Sequence, residues 1–171
     1  MYIAPIGTER LLLRPMTPAD APACFLWCAD PEVNRFMTYP LYADVAEVRE
    51  WLIRMEADAC VFLCGIERRA DGVLIGSISL SMKPGVTGLN LGYNLRRDCW
   101  GQGYATEAAR ALLAAGHAMG YHDYSACHAI ANVASGKVLA RCGFTYECDG
   151  AYWKHDGSEI FPARFCTLHI D

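Results

Sequence analysis

The stretch from Gly101 to Gly116 limits most sharply what this chain can fold into. Ala105, Ala108, Ala109, Leu112, Leu113 and Gly116 recur at i, i+3, i+4, i+7, i+8 and i+11, so they share one face of a helix. A strand-like run, Leu89-Asn90-Leu91-Gly92-Tyr93-Asn94-Leu95, comes before it, with Gly101-Gln102-Gly103 in the connecting loop. The first-turn amides of such a helix have no internal partners and sit at the positive end of its dipole. Backbone donors there can hold an anion unaided. Gly101 and Gly103 have no Cβ to keep a phosphate away, and Thr106 adds a hydroxyl. Alone, a pair of glycines before a helix is weak evidence, since it is commonly just a turn. No lysine follows as in a nucleotide-triphosphate loop, and no third glycine completes a dinucleotide fingerprint.

The flanking sequence reads as alternating strands and helices. Thr8 to Arg14 predicts a first strand ended by Pro15. Thr17-Pro18-Ala19-Asp20 has the cap, first-position proline and early acid of a helix start, and Pro31 is expected to stop that helix near Asp30. Asp44 caps a second predicted helix, with Val48, Trp51, Leu52 and Met55 at helical spacing. A meander follows: Val61 to Glu67, a turn at Ala70-Asp71-Gly72, then Val73 to Met82, broken by Pro84-Gly85 and Gly88 before Leu89 to Leu95. Beyond the alanine-rich helix come a strand (Asp123 to Ile130), a helix (Val133 to Cys142) stopped by Gly143, and strands near Phe144–Tyr152 and Ile160–Ile170. The expected fold is α/β, a mixed, mostly antiparallel sheet of six to seven strands flanked by about four helices, in one domain spanning 1–171.

With net charge -4, the chain offers no electrostatic case for nucleic acid or an anionic membrane. No apolar run approaches the roughly 20 residues of a membrane span, and Met1 to Pro5 lacks a secretion pattern, so a cytoplasmic location is expected. Nine cysteines, an odd number without metal-site spacing, read as small buried thiols rather than a disulfide frame, and no metal is expected.

Two separated segments, taken together, carry a resemblance. Leu91-Gly92-Tyr93-Asn94-Leu95 leads to Trp100-Gly101-Gln102-Gly103-Tyr104-Ala105-Thr106-Glu107-Ala108, and Asn132-Val133-Ala134-Ser135 leads to Arg141-Cys142-Gly143-Phe144. This resembles the GNAT acetyltransferase superfamily, closest to its RimJ/RimL-type branch. The resemblance implies acetyl-CoA as co-substrate, lying in a splay between the strands that end near Leu95 and Ile130. Tyr93, Asn94 and Leu95 would pair with the pantetheine arm. Gly101, Gln102, Gly103, Tyr104, Ala105 and Thr106 would hold the diphosphate. Arg96 and Arg97 would meet the phosphates, or else are solvated surface charges. Asn132 would hydrogen-bond the cofactor, cap the next helix, or both.

The implied reaction is direct attack of a neutral amine on the thioester, with no cysteine nucleophile. In the resemblance Ser135 protonates the departing thiolate; an ordinary first-turn serine is the alternative. The base is less defined. Asn90 and Tyr152-Trp153-Lys154 stand where relatives carry acids. Glu107 and His128 are the remaining candidates, each with a plain structural reading beside it. Tyr39, Tyr152 and Glu159 are candidates for the acceptor side, and residues 30–40 for its wall. The implied acceptor is a protein N-terminal amine; a small-molecule amine (amino acid, polyamine or antibiotic) and a non-catalytic CoA-binding module are the alternatives. A homodimer is common in such enzymes, but the chain gives no independent sign of one.

Overall fold

The computed structural model describes residues 4–83, 85, 86 and 88–171. The break assigned to Pro84 and the start of the N-terminal segment, Met1 to Ile3, lie outside the described residues. Among these residues eight strands form one sheet: β1 (Ile6–Gly7), β2 (Leu11–Pro15), β3 (Val61–Arg68), β4 (Val73–Met82), β5 (Leu89–Leu95), β6 (Asp123–Ala129), β7 (Thr145–Trp153) and β8 (Ile160–His169). Their spatial order is β1-β2-β3-β4-β5-β6-β8-β7. Every neighbouring pair is antiparallel except β5 and β6, which run parallel. Among the described residues five α-helices flank it: α1 (Ala21–Cys28), α2 (Pro31–Asn34), α3 (Val45–Ala57), α4 (Tyr104–Ala118) and α5 (Val133–Arg141).

Among the described residues the sheet therefore has eight strands rather than six to seven, flanked by five helices rather than about four. The added strand is the two-residue β1, too short to show an alternating pattern. The added helix is α2. Pro31 does end the preceding helical stretch, but it also stands at the first position of the next one, where its missing N–H costs nothing. Asp30 caps that turn by accepting from the Glu32 amide at 2.9 Å. The stretch from Pro18 is also divided, a 3-10 turn over Pro18–Asp20 leading into α1.

The stripe on α4 does what its spacing requires. Ala108, Ala109, Leu112, Leu113 and Gly116 are buried against Ile78, Leu80, Leu89 and Leu91 on one face of the sheet. Gly116 is small for a reason: a Cβ there would stand 2.8 Å from the Tyr124 hydroxyl. Helices α1 and α3 cover the opposite face, where Trp27, Val48 and Leu52 enclose Leu74 and Met16. The sheet is thus sandwiched, and α4 is held tightly enough for its N-terminus to be a fixed point.

Candidate active site

Strands β5 and β6 pair only at Leu89↔Tyr124 and Asn90↔Ser125. Each keeps its outer neighbour much further along, β5 to Gly76↔Leu95 and β6 to Ala129↔Ala163. From Leu91 onward the inner edge of β5 therefore faces a wedge instead of a strand. Gly76 allows β4 to follow β5 at this point, because a Cβ there would collide with the Asn94 carbonyl oxygen.

The wedge opens into a cleft of about 530 Å³. Its floor is Tyr93, Asn94 and Leu95; one end is Gly101 and Gly103–Thr106; α5 contributes Asn132, Ser135, Lys137 and Arg141; and a side wall comes from Glu32, Val33, Arg35, Phe36 and Met37. Most of the sequence-predicted cofactor residues are thereby brought together. Arg96, Arg97, Gln102, Glu107 and His128 are not among the residues lining this cleft.

The start of α4 lacks a side-chain cap, as does that of α1, which continues a 3-10 turn. Helices α2, α3 and α5 each have a side-chain cap, from Asp30, Asp44 and Asn132. Helix α4 begins on Gly103, at φ +83 with no side-chain cap, and its first hydrogen bond runs from the Glu107 amide to the Gly103 carbonyl at 3.1 Å. The amides of Tyr104, Ala105 and Thr106 precede that bond and point out of the helix end. Gly101 is also left-handed, at φ +73, and a Cβ on it would meet nothing within 4 Å, so the space in front of it is open. The Thr106 hydroxyl is buried with no hydrogen-bond partner among the described residues. A buried hydroxyl left unmet costs about 1–3 kcal/mol, so this is a donor waiting for an acceptor.

The charged groups are arranged differently from the simplest expectation. Arg96 pairs with Asp98 at 2.8 Å and Arg97 with Asp30 at 3.2 Å, which ties both to carboxylates. The cations that line the cleft are Arg35 on the α2 side wall and Lys137 and Arg141 on the α5 side, and the side chains of the last two make no hydrogen bond or ion pair among the described residues. Sequence reasoning missed both; their i, i+4 spacing places Lys137 and Arg141 on one face of α5, but nothing in the sequence says which face of that helix turns inward. Glu107 accepts from the Thr8 hydroxyl at 2.6 Å, from the Arg10 amide at 2.9 Å and from the Arg10 guanidinium at 2.7 Å. Burial alone would raise this carboxyl, but the hydrogen bonds from Thr8 and Arg10 outweigh it and hold Glu107 below its ordinary 4.5. Arg10 also donates to the Gln102 carbonyl at 2.9 Å, so the pair ties β1 and β2 to the glycine loop from behind.

Ser135 sits across the wedge from Tyr93, with 2.8 Å between their hydroxyl oxygens. Burial pushes the Tyr93 phenol well up, so it remains a proton donor. Asn132 accepts from the Ser135 amide at 3.1 Å, which makes it the cap of α5 while its amide nitrogen stays available. The Leu95 carbonyl accepts from the Trp100 indole at 2.9 Å, so one group of the strand edge is already engaged. Asn94 donates to the Tyr39 hydroxyl at 3.0 Å and accepts from Ser77 on β4. His128 lies behind α5, its ring within 2.9 Å of where a Gly136 Cβ would stand. Asn90 donates to the Ser125 hydroxyl at 3.2 Å, at the apex where β5 and β6 separate. Cys99, the cysteine among the cleft-lining residues, and Cys127 and Cys142 are all raised by burial and so are poor nucleophiles.

The acetyltransferase (GNAT) domain family matches residues 10–145, most of the chain. The chain belongs to the GNAT family. An uncharacterized N-acetyltransferase, p20, of Bacillus licheniformis is 34% identical over 112 residues, which is 62% of this chain and 62% of that protein. A GNAT-family acetyltransferase structure from Bacillus anthracis superposes with TM-score 0.85 at 21% identity, covering 96% of this chain and 98% of that one. RimL, a ribosomal L7/L12 alpha-N-protein acetyltransferase solved with coenzyme A, gives TM-score 0.85 at 20% identity over 98% of both chains. At these identities the two structures establish the GNAT fold. That family implies an acetyl-CoA site, and the residues present suit one. The uncapped amides of α4, the open space before Gly101 and the unmet Thr106 hydroxyl form an anion cradle, with Lys137 and Arg141 beside it. No group of His, Cys, Asp and Glu able to hold a metal ion occurs among the described residues.

Proposed function

We propose that this GNAT protein transfers the acetyl group of acetyl-CoA to the N-terminal amine of a protein or peptide, as a member of the RimJ/RimL-type branch. The observation that carries the reading is the wedge between β5 and β6 ending at an uncapped helix N-terminus. The diphosphate lies on the amides from Gly101 to Thr106, and the pantetheine arm adds to the free edge of β5 along Tyr93 and Asn94. This directs the thioester toward Ser135 and the α2 wall. The likeness in fold to RimL, solved with coenzyme A, supports a peptide acceptor entering along that wall.

Binding holds amine and thioester together, and the amine nitrogen attacks the carbonyl carbon directly. The C–S bond then breaks, and the sulfur leaves as a thiolate. Ser135 donates its hydroxyl proton to that sulfur and is resupplied through Tyr93. The amine gives up its own proton to water. Glu32 is the carboxylate residue on the cleft wall among the described residues, and it is placed to receive a proton through solvent. In this reading Glu107 serves as a clamp behind the glycine loop and His128 as packing behind α5.

The test is calorimetric titration with acetyl-CoA, followed by a thiol-release screen over short peptides and small amines. Binding with turnover of peptides bearing a free N-terminus is expected. Turnover of small amines alone would reassign the acceptor, and binding without any turnover would reduce the protein to a CoA-binding module.

A further inference from the structure

Lys154 is a lysine with only 9% of its surface exposed, at the end of β7. Its ammonium donates to the Asn34 carbonyl at 3.1 Å, the Asn34 side-chain oxygen at 2.9 Å and the Met37 carbonyl at 3.1 Å. Among the described residues it has no carboxylate partner. Burying an ammonium is costly unless each N–H finds an acceptor, and here all three do. The groups it joins are more than 100 residues apart in sequence, so no local structure demands the arrangement.

The neighbours repeat the pattern. Tyr152 donates its hydroxyl to the Phe36 carbonyl at 2.7 Å, and the His155 amide donates to the Thr38 carbonyl at 2.7 Å. Phe36 packs edge-on against Phe161 of β8, with ring centroids 5.9 Å apart. Carbonyls of Asn34, Phe36, Met37 and Thr38 thus accept from the β7–β8 hairpin. The same segment presents Arg35, Phe36 and Met37 to the cleft. Beyond the end of α2 and the local bond from the Met37 amide to the Asn34 carbonyl, the segment is therefore held by the hairpin.

We infer that Lys154 is a positioning residue for acceptor specificity: its ammonium straps residues 34–37 to the β7–β8 hairpin and so fixes the cleft wall against which the acceptor binds. The inference rests on the proposed function only in taking this wall as the acceptor side. Removing the strap loosens that wall and leaves the coenzyme end, built from α4 and α5, intact.

Arg35 supplies a direct readout, because trypsin can cut after it once the segment detaches. In Lys154→Met, cleavage after Arg35 should be about tenfold faster, with cleavage after Arg110 in α4 unchanged. Coenzyme A affinity by calorimetry should hold within about twofold. With the peptide Ser-Ala-Ala-Ala, KM should rise about fivefold or more and kcat stay within about twofold. An unchanged rate at Arg35, equal acceleration at Arg35 and Arg110, or faster cleavage at Arg35 with an unaltered KM would each overturn the inference. Should the wild-type protein not acetylate the peptide, the peptide reading fails by itself, and site-selective cleavage with retained coenzyme affinity still decides the strap. If Lys154→Met does not fold, Tyr152→Phe removes a single hydrogen bond, and about threefold faster cleavage after Arg35 is expected; no change would overturn the inference.

Discussion

Gly103 has to satisfy two demands, a left-handed backbone at φ +83 and an open front for a diphosphate, and the two can be separated. A Cβ at Gly103 would stand 3.4 Å from the Arg10 guanidinium, and the left-handed backbone adds about 1–2 kcal/mol of strain. Gly120 has φ +90 and nothing within 4 Å of its would-be Cβ, far from the cleft, so Gly120→Ala carries the strain alone. Gly103→Ala should lower acetyl-CoA affinity about tenfold or more by calorimetry, and Gly120→Ala should leave it unchanged while lowering Tm comparably. Equal affinities in the two variants would remove the diphosphate from this loop. Ser135→Ala should reduce kcat by about 10²-fold with coenzyme A affinity retained; undiminished turnover would strike Ser135 from the mechanism. At this scale the sequence was informative where a backbone property is at stake and poor where partners are. The two loop glycines could be read because a missing Cβ is visible in the sequence itself, and their left-handed backbone, which glycine accepts readily, comes from the structure. That Glu107 would be consumed by Thr8 and Arg10, about 100 residues away, depends on a meeting of β1, β2 and α4 that no spacing records.

Elements were legible where their ends carry chemistry. Strands β4 and β5 begin and end at the expected residues, and Asp44 caps α3 by accepting from the Glu47 amide at 2.9 Å. Helix α5 starts where its asparagine predicts, and its cap can be tested apart from any cofactor contact. Asn132→Ala should lower unfolding free energy by about 1 kcal/mol in urea, and Asn132→Asp, which keeps the capping oxygen, by much less. Similar losses in both would mean that the Ser135 amide does not depend on this oxygen. The splay of β5 from β6 was expected through the family resemblance alone, since alternation along a strand reports which face is buried and says nothing about how far its neighbour follows. The α2 turn was hidden for a related reason: Pro31 is both a good stop and a good start, and only the path of the chain decides.

For the molecule as a whole, pH separates what holds the fold from what limits the chemistry. Glu107 is held below its ordinary 4.5, and Asp20 is held below 3.8, where burial raises it but hydrogen bonds from Arg14 and Thr17 prevail. Carboxyls depressed by folding contribute stability above their unfolded values and lose it as pH falls through the folded ones. Tm should therefore hold near neutrality and fall below about pH 4.5, with a shallower fall in Glu107→Gln; a Tm unchanged at pH 3 would contradict this. Turnover should respond in a different range, because the attacking amine must be neutral. An α-amino group titrates near 8 and a lysine side chain near 10.4, so the two are told apart on one substrate carrying both. With Ser-Ala-Lys-Ala, kcat/KM should climb about tenfold per pH unit and level off near 8, and fragmentation of the product should place the acetyl group on serine. A climb that continues toward 10, with the acetyl group on the lysine, would identify the acceptor as an alkyl amine. The cleft would then have to favour a flexible side chain over a chain end, and the wall held by Lys154 would be the place to look for how.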